Sequence, residues 1–296
     1  PVGLTGIVIT VLTLLIIVGG IKSISKVSSV VVPVMAIFYV LCGVIVILGN
    51  ISNLPAGISM IFKMAFSVKA MGGGLCGMIV ASMMNAMRYG VARGVFSNEA
   101  GMGSTPHAHA IARVKHPVEQ GLAAVIGLCI DTFVVLTATA LVILVTGSLD
   151  GTKTGIELTQ TAFVKGMGPA GSGFVALCLF FAAFTTIIGW YFFAVQNVKF
   201  IFGYKFVNSF SVIVLCFLMA GSYLKVNLVW ELADMFNGLM VIPNSIAVVG
   251  LYKLVTRALD DYENKFLKGE RPLFGPSEQL TGRMAKLASN HRRKHR

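Results

Sequence analysis

Seven stretches of this chain stay apolar for at least the about 17 to 25 residues with which a helix crosses the roughly 30 Å hydrocarbon layer of a bilayer. They fall near 3–21, 31–49, 74–92, 120–146, 173–198, 207–224 and 228–256. Such blocks leave few folds open, because a backbone in lipid must satisfy its own N–H and C=O groups, and a helix does so within itself. The expected class is an all-α integral membrane protein with about seven transmembrane helices. Composition agrees, with 56% of residues hydrophobic and 12% charged. The last block is long for one crossing and contains Pro243, which predicts one kinked helix rather than two short ones.

The five cysteines, Cys42, Cys76, Cys129, Cys178 and Cys216, lie inside apolar blocks at wide spacings. That is the pattern of small core residues, not of a zinc site or a disulfide framework. The chain opens PVGLTG, with no charged n-region and no small-residue cleavage site. The first block therefore reads as a span and not a signal peptide, and the start reads as a cut inside a longer protein. A net charge of +12 could suggest nucleic acid, but eleven of the 24 basic residues lie from Lys253 onward. A basic tail beside a membrane helix is a topology signal, and no nucleic-acid partner is expected.

Lys and Arg are retained on the cytoplasmic side. With the start outside, the outer segments hold only Lys63, Lys69, Lys153, Lys165 and Lys225, and the other 19 basic residues fall inside. This split predicts a multi-pass protein of the cell membrane with a transmembrane domain over 1–259 and a basic cytoplasmic tail over 260–296. Two outer segments are more than connectors. LPAGISMIFKMAF (54–66) is apolar but too short to span, which predicts a surface helix. IELTQTAF (156–163), in the loop from Ser148 to Ser172, is long enough for one or two helical turns.

Polar residues at membrane depth need a reason. In the fifth span Ala182, Thr185, Thr186, Gly189 and Trp190 share one broad helical face, since residues three and four apart are neighbours. Adjacent hydroxyls can supply two hard oxygen ligands to a small cation, Gly189 leaves room, and Trp190 offers a flat wall with one N–H donor. The plainer reading, in which each Thr satisfies a helix carbonyl and Trp marks an interface, stays open. Asp131, in the fourth span, is either a functional acid or half of a buried ion pair. The third span begins after Gly72–Gly74 and runs through Asn85, Met87, Arg88 and Gly90, with a second glycine at Gly94. Glycines there permit either a break that exposes backbone to a substrate, or close helix packing. His107 and His109 do not share a helical face, so they read as loop residues and not metal ligands.

These residues carry a pattern. ARGVFSNEAGMGSTPHAHA (92–110), HPVEQGL (116–122), IDTFVVLTATALVILVTG (130–147), FTTIIGW (184–190) and FNGLMVIPN (236–244) together resemble the alanine or glycine:cation symporter family, over residues 1 to about 274. The resemblance implies a transporter and not an enzyme, with the inverted-repeat fold of sodium-coupled amino-acid transporters. The spans here match core helices four to ten of its two five-helix repeats, and the N-terminal three are missing. The third span then takes the place of the second broken helix, and the loop bearing LTQTAF resembles an outer lid.

Carried over residue by residue, the resemblance implies sodium on Ala182, Thr185 and Thr186. A small neutral amino acid, alanine or glycine, would lie among Asn85, Met87, Gly90, Thr186 and Trp190. An inner gate would be formed by Glu99 with Arg93 or Arg113, against the alternative that Glu99 only anchors its loop. No cofactor beyond the coupling sodium ion is implied. Two readings from other classes compete: an ion channel or metal permease using the histidines and Asp131, and a non-transporting membrane scaffold.

Overall fold

The computed structural model describes residues 2–66, 77–99, 101–149 and 153–269. Gly72–Gly74, Cys76 and most of the basic tail lie outside these residues. The described chain is helical: α1 (Val2–Val18), α2 (Gly20–Gly49), α3 (Leu54–Phe66), α4 (Gly77–Asn98), α5 (Pro117–Cys129), α6 (Thr137–Val145), α7 (Gly155–Met167), α8 (Ala170–Phe202), α9 (Val207–Gly221) and α10 (Val226–Leu267). One helical turn, Pro106–His109, lies between α4 and α5, and a π-helical segment, Ile130–Leu136, joins α5 to α6. Each expected span overlaps a helix. Among the described residues five stretches are long and apolar enough to cross a membrane: Ser23–Gly49, Pro117–Val145, Ala170–Phe202, Tyr204–Gly221 and Val226–Leu267, with Gly3–Val18 a shorter apolar helix.

Three details differ from the sequence reading, each for a local reason, and in a fourth, α10, the expected single helix is present at greater length. α2 begins at Gly20, well before residue 31, because nothing in IKSISKVSS breaks a helix once Gly20 has turned the chain at φ +66°. α4 runs unbroken through Gly90 and Gly94; glycine permits a break without imposing one. α7 is 13 residues and not one or two turns, stopped where Gly168 takes φ +74° and Pro169 cannot continue it. α10 is a single helix of 42 residues with Pro243 inside. Its length is about 63 Å at ~1.5 Å per residue, twice what a bilayer core needs. Residues 235–252 hold no charge and make about 27 Å of helix, close to the length of one crossing.

The chain divides into two compact units, one from Pro1–Gly94 with Leu128–Phe192 and the other from Val95–Gly127 with Phe193–Arg296. The first has an apolar core of Cys42 and Val46 from α2, Val142 from α6, Ala162 and Phe163 from α7, and Phe174, Val175 and Cys178 from α8. Tyr39, Phe163 and Phe174 meet with ring centroids 5.2 to 6.2 Å apart. Missing side chains let the helices close: a Cβ at Gly166 would lie 2.4 Å from Val46 Cγ1, and one at Gly171 2.4 Å from the Phe163 carbonyl oxygen. Small residues serve this purpose in membranes, where lipid is as apolar as the core and close van der Waals contact must hold helices together. α3 is fastened by Asn53, whose Nδ2 donates to the Val145 carbonyl at 2.9 Å.

The second unit joins its elements by ring contacts, as between Phe96 and Trp230 with centroids 5.6 Å apart, and by specific polar ties. His116, fully buried before α5, accepts the Val118 N–H at Nδ1 (3.2 Å), which leaves the proton on Nε2, 3.4 Å from Asp261 Oδ2 of α10. Its ring lies 5.1 Å from that of Tyr262. Lys265 donates to Asp261 Oδ2 at 2.7 Å.

Candidate functional site

The five residues singled out in the fifth span lie on α8, which is regular from Ala170 to Phe202, so their shared face is continuous. Thr185 Oγ1 donates to the carbonyl of Phe181 (2.9 Å) and reaches that of Ala182 (3.1 Å). Its proton is thus turned back into its own helix, and its oxygen keeps two lone pairs as acceptors. Thr186 beside it is exposed, while Ala182, Gly189 and Trp190 are half-buried. A Cβ at Gly189 would meet nothing, so the face is open at that position. The two hydroxyls can give a small cation two oxygens, and any further ligands must come from another segment.

Ala182 also borders a cavity of about 240 Å³ whose wall includes Met35, Tyr39, Thr139, Thr159 and Cys178. Thr139 Oγ1 donates to the Val135 carbonyl at 2.9 Å, so the 2.9 Å contact with Tyr39 is one in which the tyrosine O–H donates. Val135 lies in the widened π segment, where the helix ladder is irregular, and Asp131 stands half-buried in the same segment. Sequence reasoning did not place Tyr39, Thr139 or Thr159 at a site; its signals for this cavity were Ala182 and the stretch 156–163.

The proposed substrate residues of α4 are placed less closely. Met87 is 64% exposed, and a Cβ built at Gly90 would meet nothing within 4 Å, so α4 presents both openly and does not enclose them with Thr186 and Trp190. Asn85 lies on the same helix, with its side chain outside those described. Of the gate residues, Arg93 is half-buried on α4 and Arg113 is exposed before α5. Glu99, at φ +49°, accepts hydrogen bonds at Oε2 from Ser104 (2.5 Å) and Thr105 (2.6 Å). Two hydroxyls donating to one carboxyl oxygen tie Glu99 into its own loop.

The histidines are engaged in the same way. His107 Nδ1 donates to the Ser104 carbonyl (2.9 Å), and Gln120 Nε2 donates to His109 Nδ1 (2.8 Å). Two motif stretches far apart in the chain also meet here: Asn244 Nδ2 donates to the Gly101 carbonyl at 2.9 Å. Neither Asn244 nor His116 drew attention as a site in the sequence, because the partner of each lies more than a hundred residues away.

An all-helical chain with several bilayer-length helices, one of them bearing a hydroxyl pair on an open face, has the build of a multi-pass membrane transporter. It belongs to the sodium:alanine symporter family, whose model matches residues 2–276. This is a transporter family and not an enzyme family. The chain is 41% identical over 264 residues to an uncharacterized transporter of Haemophilus influenzae, covering 88% of this chain and 57% of that protein. It is 40% identical over 290 residues to a putative sodium/proton-dependent alanine carrier protein, YrbD, of Bacillus subtilis, covering 92% and 58%. It is also 40% identical over 261 residues to a probable sodium/glutamine symporter, GlnT, of the same organism, covering 88% and 53%. The chain thus spans about half the length of the curated relatives it matches.

Proposed function

We propose that this chain forms the larger part of the pathway of a sodium-coupled symporter for a small neutral amino acid, alanine or glycine, working by alternating access in the cell membrane. The observation that carries the reading is the Thr185–Thr186 pair on α8, in a chain matched along nearly its whole length by the family model. With its proton held by helix carbonyls, Thr185 has an oxygen to offer a cation, and Ala182 leaves room one turn before it. Sodium on these residues would couple the membrane gradient, at about 2.3 kcal/mol per charge per 100 mV.

The amino acid would be walled by Trp190 and met by Thr186 and the backbone near Gly90, with Asn85 and Met87 as further lining. These helices would be core helices four to ten of an inverted-repeat fold, and α7 its outer lid. The basic end from about residue 260 would face the cytoplasm, and Glu99 would meet Arg93 or Arg113 in an inner gate.

The test is uptake of radiolabelled alanine, glycine and glutamine into vesicles holding the full-length protein, with and without sodium. The expected result is sodium-dependent alanine or glycine uptake whose half-saturating sodium concentration rises at least ten-fold in Thr186→Ala. An unchanged sodium dependence in that variant removes the assignment, and uptake of glutamine alone replaces the substrate. Glu99→Gln should lower the transport rate at equal expression; a normal rate would leave Glu99 its loop-anchoring role alone.

A further inference from the structure

Asn244 stands one residue beyond Pro243, near the middle of α10. Proline has no N–H, so the carbonyl of Leu239 loses its usual partner there, and one turn of α10 is softened. Against this turn sits the loop that follows α4. Asn244 Nδ2 donates to the Gly101 carbonyl at 2.9 Å. On its other side Asn244 fills the space a side chain at Gly103 would need: a Cβ there would come 2.8 Å from Oδ1.

The loop is built to receive it. Gly101 and Gly103 take φ +72° and +77°, a conformation L side chains rarely adopt. Glu99 draws in Ser104 and Thr105 by their hydroxyls, and Met102 and Ser104 are each only 2% exposed. The loop is therefore one internally bonded knot, and Asn244 is its tether to α10.

We propose that Asn244 is a positioning residue: it fastens Glu99 and Gly101–Thr105 to the proline-softened turn of α10, so that the end of α4 and that turn shift together when the transporter changes conformation. A side-chain amide suits this role, since one group supplies both a donor to a loop carbonyl and a compact body over a glycine. The inference rests on the transport reading above, and it adds a residue that contacts neither substrate nor sodium.

Two measurements decide it. In a background with all native cysteines replaced by alanine, Met102→Cys should react slowly with N-ethylmaleimide, and adding Asn244→Ala or Asn244→Asp should speed labelling at least ten-fold. Asp keeps the size of the side chain and loses the donor, so one of the two variants serves if the other folds poorly. Unchanged labelling in a folded variant overturns the tether.

In vesicles, Asn244→Asp should lower the maximal rate of sodium-dependent alanine uptake at least five-fold while the half-saturating alanine and sodium concentrations stay within two-fold. An unchanged rate, or a loss confined to affinity, overturns the positioning role. Failure of the unsubstituted protein to take up any amino acid defeats the transport reading instead, and the labelling result still decides the tether.

Discussion

The two units of this chain hold themselves together by different means. In the first, the large side chains that lose almost all exposure are Val46, Val142, Val145, Phe163 and Ile188, with Thr13 and Ser148 the small polar exceptions. In the second, the described side chains buried to about that degree are His116, Met102 and Ser104, two of them polar and all three in the loop between α4 and α5. One unit is a packed core of helices closing over glycines; the other is a set of long helices pinned by specific hydrogen bonds. Packing resists small displacements in every direction, because each one opens a void. A hydrogen bond resists chiefly the displacements that break it.

That contrast can be broken most forcefully in the first core. Phe163→Ala removes a fully buried ring between Tyr39 and Phe174, and the expected loss is about 3 to 5 kcal/mol, from lost burial and the cavity left behind. Denaturant or thermal unfolding in detergent measures it, with Phe217→Ala, a ring 74% exposed on α9, as the near-neutral control.

The next effect lies at the tether. Gly103→Ala places a methyl group against Asn244 on a backbone at φ +77°, and should cost about 1 to 3 kcal/mol. Combining it with Asn244→Ala should recover the steric part and leave the backbone part; strict additivity of the two would show that the residues do not press on one another.

The smallest effect concerns the exposed end of α10. The hydrogen bond from Lys265, aided by His116 and opposed by partial desolvation, holds the Asp261 carboxyl below its ordinary range. A carboxyl with a lowered folded value adds stability above its unfolded value of about 3.9, and loses it as pH falls through the folded value. Lys265→Gln should therefore bring the value back up and flatten the acid side of the stability curve below about pH 4, while Phe163→Ala should shift the curve without changing its shape.

Much of the fold was legible because apolar run length is a property of single segments. The seven blocks correspond to α1, α2, α4, the joined α5 and α6, α8, α9 and α10, and two shorter helices, α3 and α7, lie at 54–66 and over 156–163. What went astray was local strength. Lys22 and Lys26 dimmed the hydropathy of a stretch that is helical all the same, and Gly90 and Gly94 suggested a break that α4 does not make. The site was legible only as a helical face. Spacing put Ala182, Thr185 and Thr186 together on α8, but the direction of the Thr185 proton is set by carbonyls that the spacing alone does not choose.

By itself, then, the sequence determined what depends on composition along one helix: that the chain is helical and bilayer-spanning, where the spans fall, and which polar residues share a face. The family pattern was present there too, as short runs of residues. Only the tertiary structure decided which runs meet. Asn244 and Gly101 are separated by 143 positions, and His116 and Asp261 by a similar distance. The physical reason is that a helix's periodicity is an intramolecular rule repeated every turn, whereas a contact between remote segments depends on how every intervening helix packs.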